Sequence, residues 1–393
     1  RRNYPVNSPP LRDGTDAEER FVIGKCRLYL ARLLSRYPII DEYNLKLAAW
    51  LLGPAIDRFA DELQKQIDTK ARSADMEPMS SSIGIDPGEA LQEMFARLKS
   101  PHRFHAVKRL VSLLEQRHEQ CDRPHHTGLW NKVQKMQTAF ALTEKETEYC
   151  IFQLIVAGWA YSYDFSYFKL DINDYKSRPY LMVMLNLKAS ELDEILNGTL
   201  RKIELVEFSG MDVSINSNTL ELFVHGHEGE HLTDLYAPLR GTNLPLHYHM
   251  VGRKQTEHVL SLLRKKRKKP SHLLVYGPPG TGKSSFVKAV SRKIKAPFYE
   301  ITKGDEQNAG SRRRAAICAC LNMTNLGSGS VVVVDEADGI MNTGFSWIFR
   351  GERQDKGWLN DLLETPGVRM VWITNDINGI EESVKRRFTY SLQ

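Results

Sequence analysis

Residues 277–284 read Gly-Pro-Pro-Gly-Thr-Gly-Lys-Ser, and no other stretch of the 393-residue chain restricts its fold so tightly. Ahead lies the short, apolar, β-prone run His272-Leu-Leu-Val-Tyr276. Behind it, Ser285-Phe-Val-Lys-Ala-Val-Ser-Arg-Lys-Ile294 carries apolar residues at helical spacing. A glycine-rich loop between strand and helix turns backbone N–H groups inward toward phosphate oxygens, and the helix N-terminus adds its positive dipole. Lys283 is then placed to neutralise β- and γ-phosphates, and Ser284 to hold Mg2+. The cradle comprises Gly277, Pro278, Pro279, Gly280, Thr281, Gly282, Lys283, Ser284 and Ser285, and it implies binding of a nucleoside triphosphate.

Downstream, Ser330-Val-Val-Val-Val-Asp-Glu-Ala-Asp338 is an apolar strand ending in carboxylates. Four consecutive valines suit a strand buried on both faces of a parallel sheet. Asp335 at its tip is placed to reach the Mg2+ shell, and Glu336 to orient and deprotonate a water for in-line attack on the γ-phosphate. Two carboxylates capping the next helix are the plainer alternative. With the loop upstream, the pair reads as machinery for hydrolysis.

A chain of this length predicts two or three domains. Its net charge of +6 is too small to argue for nucleic acid by itself. The five cysteines are scattered without metal-ligand spacing, which fits free thiols in a reducing cytoplasm. No apolar run approaches the ~20 residues of a membrane span, so no membrane role is expected. The chain starts at Arg1 and stops soon after an expected strand, as an excerpt of a longer protein would.

Residues 1–16 are Pro-rich and polar, expected as a disordered or extended tail. Residues 17–128 show helical apolar stripes, such as Phe21…Leu34, Leu45…Leu63, Leu91…Leu98 and Phe104…Leu114, interrupted by a loop over 73–88. Residues 129–228 predict helices at 143–157, 180–187 and 189–196, the last with a start signal in Ser190 and Asp193. Two strand-like runs follow, 203–208 and 219–224, giving a winged-helix-like layout. Glu191, Asp193 and Glu194 would repel DNA phosphates, so protein docking is preferred for this domain. The cluster His225…His231 reads as a solvated loop ahead of a metal site. A linker, 229–252, leads to the nucleotide-binding part, 253–393. Within that part, Arg264-Lys-Lys-Arg-Lys-Lys269 reads as a cationic helix end, with nucleic-acid contact second.

The C-terminal region resembles the AAA subgroup of AAA+ ATPases, in their bacterial form with a helical and winged-helix N-terminal region. The phosphate loop and Val-Asp-Glu-Ala-Asp are joined by Trp372-Ile-Thr-Asn375, similar to the family's sensor strand, and by Glu382-Ser-Val-Lys-Arg-Arg-Phe388, similar to its arginine-finger segment. The resemblance implies an α/β P-loop NTPase fold, with five parallel strands covered by helices on both faces, preceded by an all-α region and the winged-helix-like α+β domain. The strands are expected at 273–276, 298–301, 331–335, 370–374 and 389–392. The implied ligands are ATP and Mg2+, with an adenine-contacting turn at Val251 and Gly252. Asn375 would hold the attacking water. Arg386 and Arg387 would serve a neighbouring subunit's nucleotide, which implies a homo-oligomer, a hexameric ring, acting on a protein partner through its N-terminal region.

The chain departs from protein-threading members of that family. Asn308-Ala309-Gly310 stands where an aromatic would grip substrate, and Arg312, Arg313 and Arg314 place cations there instead. Phe345-Ser-Trp-Ile-Phe349 reads equally as a second central loop or a packing cluster. The chain ends at Gln393, before the family's helical lid. A remodelling ATPase is the leading expectation. A nucleic-acid-linked ATPase of the loader or initiator type, or a nucleotide-gated scaffold, are the alternatives.

Overall fold

A computed structural model describes residues 17–71, 87–121, 128–156, 178–203, 205–209, 212–215, 235–241, 244–264, 268–302, 309–325, 329–341 and 356–393. They fall into two compact units. One takes the chain to Gln134 with Glu144–Ile195 and Phe208–Ile215; the other takes Lys135–Thr143, Leu196–Glu207 and Asn216–Gln393.

In the first unit the apolar stripes become helices: α1 (Ala17–Arg36), α2 (Glu42–Leu52), α3 (Ala55–Ala71), α4 (Pro87–Arg97) and α5 (Ser100–Cys121). The stripe from Leu45 to Leu63 breaks into α2 and α3 at Gly53-Pro54. Gly53 has φ +54° and its N–H bonds to Ala49 O, while proline offers no N–H to continue the ladder. α1 packs along α5 and buries Tyr29, Leu30, Leu33 and Leu34. Its Tyr29 hydroxyl donates to Glu148 Oε1 at 2.8 Å, and the buried Arg27 donates to Leu51 O at 2.7 Å, capping α2.

Next come α6 (Gly128–Phe140), α7 (Glu144–Val156), α8 (Arg178–Leu185), α9 (Ala189–Asn197) and α10 (Thr199–Lys202). At the start of α9, Glu191 accepts from the Lys188 N–H at 2.9 Å, so the capping acid is Glu191 and not Asp193. A two-stranded sheet follows, β1 (Val206–Ser209) with β2 (Asp212–Ile215). The strand expected at 203–208 therefore starts later, because Ile203 ends α10. The expected partner run 219–224 and the His225…His231 cluster lie outside the described residues, as do residues 1–16. The span 129–228 is shared by both units. The Ala139 carbonyl accepts from Asn322 at 2.9 Å and Lys202 pairs with Asp361 at 3.7 Å, both within the second unit.

The second unit is built on a six-stranded sheet: β3 (Tyr236–Pro238), β4 (Ser271–Tyr276), β5 (Phe298–Ile301), β6 (Val331–Val334), β7 (Arg369–Thr374) and β8 (Tyr390–Leu392), in the order β3-β5-β6-β7-β4-β8. The last five pair in parallel, as expected. The sixth, β3, runs antiparallel to β5, so part of the expected linker 229–252 belongs to this sheet. Its run is only three residues, too short to carry a period-2 signal. The helices of the unit are α11 (Arg253–Arg264), α12 (Lys283–Ser291), α13 (Ala309–Cys320), α14 (Asp338–Met341), α15 (Lys356–Glu364) and α16 (Glu382–Lys385). Alternate strand residues, Leu273 and Val275, Val331 and Val333, Val371 and Ile373, pack with Val259 and Leu263 of α11 and with Phe286, Val287 and Val290 of α12. Among the described residues no helix is long and apolar enough to cross a membrane, and Cys26, Cys150 and Cys320 are buried free thiols.

One polar pair sits inside this sheet. Trp372, fully buried on β7, donates from Nε1 to His272 Nδ1 on β4 at 3.2 Å. Burial pushes the imidazole down from its ordinary value to about 4. His272 is therefore neutral in the fold but takes a proton in the unfolded chain below about pH 6.5. Its contribution to stability is intact above that pH and declines as pH falls toward 4, by up to about 3 kcal/mol. Urea unfolding from pH 4.5 to 7.5 should show this slope, and His272→Gln, which keeps an acceptor for Trp372, should flatten it. Identical slopes for the two proteins would refute the assignment.

Candidate nucleotide-binding site

The parallel register places three loop tips side by side. Tyr276 at the end of β4 lies opposite Thr374 at the end of β7, and Val334 of β6 lies opposite Trp372. The phosphate loop leaves β4, the acidic turn leaves β6 and Asn375 leaves β7, so all three converge at the carboxyl edge of the sheet. Gly280 (φ +79°) and Gly282 (φ +85°) hold left-handed conformations, and Gly282 caps the N-terminus of α12. Thr281 Oγ1 braces the loop by donating to Pro278 O at 2.9 Å.

Lys283, the first residue of α12, donates to Gly277 O at 2.6 Å, Pro278 O at 2.8 Å and Asn375 Oδ1 at 3.0 Å. Ser284 Oγ donates to Asp335 Oδ2 at 2.9 Å. Ser285 follows, partly buried on the same turn. The structure thus makes two hydrogen-bonded pairs from neighbouring residues of α12, Lys283 with Asn375 and Ser284 with Asp335. Glu336 is next to it, exposed and with φ +51°. Its N–H donates to Asp335 Oδ1 at 2.9 Å, and the next N–H, of Ala337, donates to Ile373 O at 2.7 Å.

Val251 and Gly252 lie on the strap before α11. Val251 packs on the sheet core, and Gly252 N–H donates to Gln255 Oε1 at 3.2 Å. Just ahead, His249 packs edge-on to Phe286 of α12 with ring centres 5.7 Å apart, beside Gly282 of the phosphate loop. Burial lowers the His249 imidazole pKa. Arg386 is exposed at the end of α16, and Arg387 donates to Glu364 Oε1 at 2.6 Å and to Ser383 O. Neither arginine is hydrogen-bonded to the phosphate loop of its own chain among the described contacts.

Two contributors to the site were given no role there by the sequence. Asp338 accepts at one oxygen, Oδ1, from Thr374 Oγ1 at 2.6 Å, Asn375 N–H at 3.0 Å and Asp376 N–H at 3.2 Å, so it ties the acidic turn to Asn375. Its place as the last residue of Val-Asp-Glu-Ala-Asp was the only sequence signal for it. Arg313 lies on α13, 6% exposed, and its guanidinium donates to Asp335 O and, at 2.6 Å, to Glu336 O. Burial lowers its pKa, opposed by the carboxylates of Glu336, Asp335 and Asp338. Arg314 is also buried, its guanidinium 5.4 Å from the Trp358 ring centre. Of the three cations that the sequence places at 312–314, Arg313 and Arg314 are buried and Arg312 is partly exposed. Helical spacing sets them on different faces but does not say which face is buried. Asn308 and the run 345–349 lie outside the described residues.

The donor set fits ATP with Mg2+. The left-handed glycines open the loop at a helix N-terminus, and Lys283 is the cation inside it. Ser284 and Asp335 present two hard oxygens within hydrogen-bond distance of one another, the ligand type Mg2+ prefers. Residues 273–393 match the family model of the ATPase family associated with various cellular activities (AAA). This part of the chain is an AAA-family P-loop ATPase domain.

Among curated relatives, replication factor C subunit 5 of Arabidopsis thaliana is 40% identical over 128 residues, 30% of this chain and 32% of that protein. The replication factor C large subunit of Sulfurisphaera tokodaii is 31% identical over 99 residues, 24% of this chain and 20% of that protein. The 26S proteasome regulatory subunit 6B homolog of Saccharomyces cerevisiae is 26% identical over 126 residues, 30% of this chain and 29% of that protein. The chain therefore spans a third or less of the length of these relatives.

Asp338→Ala should leave Asn375 N–H and Asp376 N–H without their acceptor. The expected loss is on the order of 2 kcal/mol in urea unfolding, with nucleotide affinity nearly kept. A stability within 0.5 kcal/mol of wild type, on the order of a neutral surface change, would remove Asp338 from this role.

Proposed function

We propose that this protein is a Mg2+-dependent ATPase, working as a homo-oligomer that remodels a protein or macromolecular complex. The observation that carries the reading is that adjacent residues of α12 reach both neighbouring strand ends, Lys283 bonding to Asn375 and Ser284 to Asp335, with Glu336 next to Asp335. Lys283 would exchange the loop carbonyls for β- and γ-phosphate oxygens, and Ser284 and Asp335 would hold Mg2+, which neutralises charge on those oxygens. Asn375 would orient a water. As that water's oxygen bonds to the γ-phosphorus, its proton passes to Glu336 and the bond to the β-phosphate oxygen breaks, leaving ADP and phosphate. Val251 and Gly252, next to the His249–Phe286 contact, would meet the adenine.

Arg386 and Arg387 are assigned to a neighbouring subunit's site. Arg386 is exposed and ready to do so, whereas Arg387 would first have to give up Glu364, a surface pair of modest strength. Such fingers contribute about 10³–10⁵ in rate where they operate. A hexameric ring, a cytoplasmic setting and partner binding through the helical and winged-helix-like regions belong to this reading.

A second reading, a nucleic-acid-linked ATPase, is favoured by one observation. Residues 253–295 contain thirteen Lys and Arg but a single acid, Glu257. The ends of α11 and α12 meet there, with Arg264 donating to Lys293 O at 3.2 Å. Relatives named replication factor C point the same way. DNA that leaves hydrolysis unchanged, and binds no more tightly at low salt, would exclude it.

Lys283→Ala should abolish ATP binding by calorimetry, while Glu336→Gln should bind ATP but release no phosphate. Arg386→Ala should keep affinity within about threefold yet lose about 10³ in turnover, and mixing it with Lys283→Ala should recover part of the activity. Undiminished phosphate release by Glu336→Gln would refute the catalytic assignment. Mixed oligomers without any recovery would refute the shared site.

A further inference from the structure

The acidic turn is an unusual piece of backbone. In an extended strand successive carbonyls point to opposite sides. Here the carbonyls of Asp335 and Glu336 both face one guanidinium, that of Arg313. The reversal is made at Glu336, whose φ of +51° is a left-handed conformation on a residue with a Cβ. Such a conformation costs about 1–3 kcal/mol and persists only where its surroundings over-determine it.

The surroundings can be named. Asp335 Oδ1 takes the Glu336 N–H, Ile373 O takes the Ala337 N–H, and Arg313 takes the two carbonyls. Of these only Arg313 holds both carbonyls at once. It is a cation buried on α13, with one guanidinium nitrogen on each of the two carbonyl oxygens. Its planar fork suits two adjacent carbonyl oxygens, which a lysine ammonium would meet only one at a time.

We infer that Arg313 is a positioning residue, a buried clamp on the backbone of residues 335–336 that holds Glu336 in its left-handed conformation and so aims its carboxylate at the γ-phosphate side of the site. This rests on the ATPase reading for its kinetic consequence, but its structural consequence stands apart from it. Because α13 follows the 303–308 segment after β5, whatever shifts this helix would shift Glu336 as well.

The test uses the whole chain carrying Arg313→Met, which keeps length but removes the fork, and Arg313→Lys, which keeps the charge. Phosphate release, affinity for a fluorescent ADP and amide hydrogen exchange are measured on each. The expected result for Arg313→Met is a kcat lower by about 10–100-fold, as for other residues that orient a catalytic group, with ADP affinity within about threefold. Arg313→Lys should recover part of kcat. Exchange at the Glu336 and Ala337 amides should quicken in Arg313→Met while β4 and β7 stay protected. Unchanged exchange at those two amides overturns the inference. So does an ADP affinity that collapses together with kcat in both variants, which marks a merely structural arginine. A wild-type protein that binds nucleotide but releases no phosphate defeats the ATPase reading instead, and the exchange comparison still decides the clamp.

Discussion

Parallel pairing of β6, β7 and β4 is the constraint on which the nucleotide site depends. With Val334 opposite Trp372 and Tyr276 opposite Thr374, three segments far apart in sequence end at the same level of one sheet. A slip of one residue would send every side chain of β6 to the opposite face of the sheet and carry Asp335 away from Ser284. The register is held by burial on both faces: every residue of β6 and β7 is buried, and the alternating set packs on α11 and α12. The core thus does more than stabilise the domain, because it fixes the distances over which the polar groups meet.

At the edge of that sheet the polar groups hold one another. Lys283 reaches Asn375, Ser284 reaches Asp335, Asp338 reaches Thr374, Asn375 and Asp376, and Arg313 reaches the carbonyls of the acidic turn. Hydrogen bonds to charged groups contribute about 1.5–3 kcal/mol each when their partners are in place. Their shared consequence is a turn that tolerates a left-handed Glu336. A strained residue kept in place by a buried cation below and a carboxylate beside it is pre-organised, so little rearrangement remains for the chemistry.

The arginines of the last helical turn show a different state. Arg387 is occupied by Glu364 and by the Ser383 carbonyl, whereas Arg386 is exposed. The exposed Glu364 carboxylate holds Arg387 only weakly, as the proposed role in a neighbouring subunit's site would require. Under the proposed function the AAA domain carries the groups for binding and proton transfer on its own loops, and charge stabilisation from the arginines would depend on a neighbouring subunit.

Local chemistry made the nucleotide domain legible. Gly-Pro-Pro-Gly-Thr-Gly-Lys-Ser requires left-handed backbone at its glycines, four valines require burial, and the carboxylates after them mark the carboxyl edge of the sheet. The strands beside the phosphate loop and the acidic turn, with Lys283, Ser284, Asp335 and Glu336, followed from such short-range signals, whereas the full five-strand sheet and Asn375 followed from the family resemblance. What they could not show were features made by distant partners. Strand β3 is three residues long and exists only because β5 offers an edge; Asp338 matters because β7 ends beside it; and Arg313, one cation in a run of three, becomes a buried clamp only when α13 lies under the acidic turn. Spacing along the chain supplied the groups proposed for phosphate and water. Their mutual support is a property of packing, since hydrogen bonds between residues tens of positions apart leave no periodicity in the sequence.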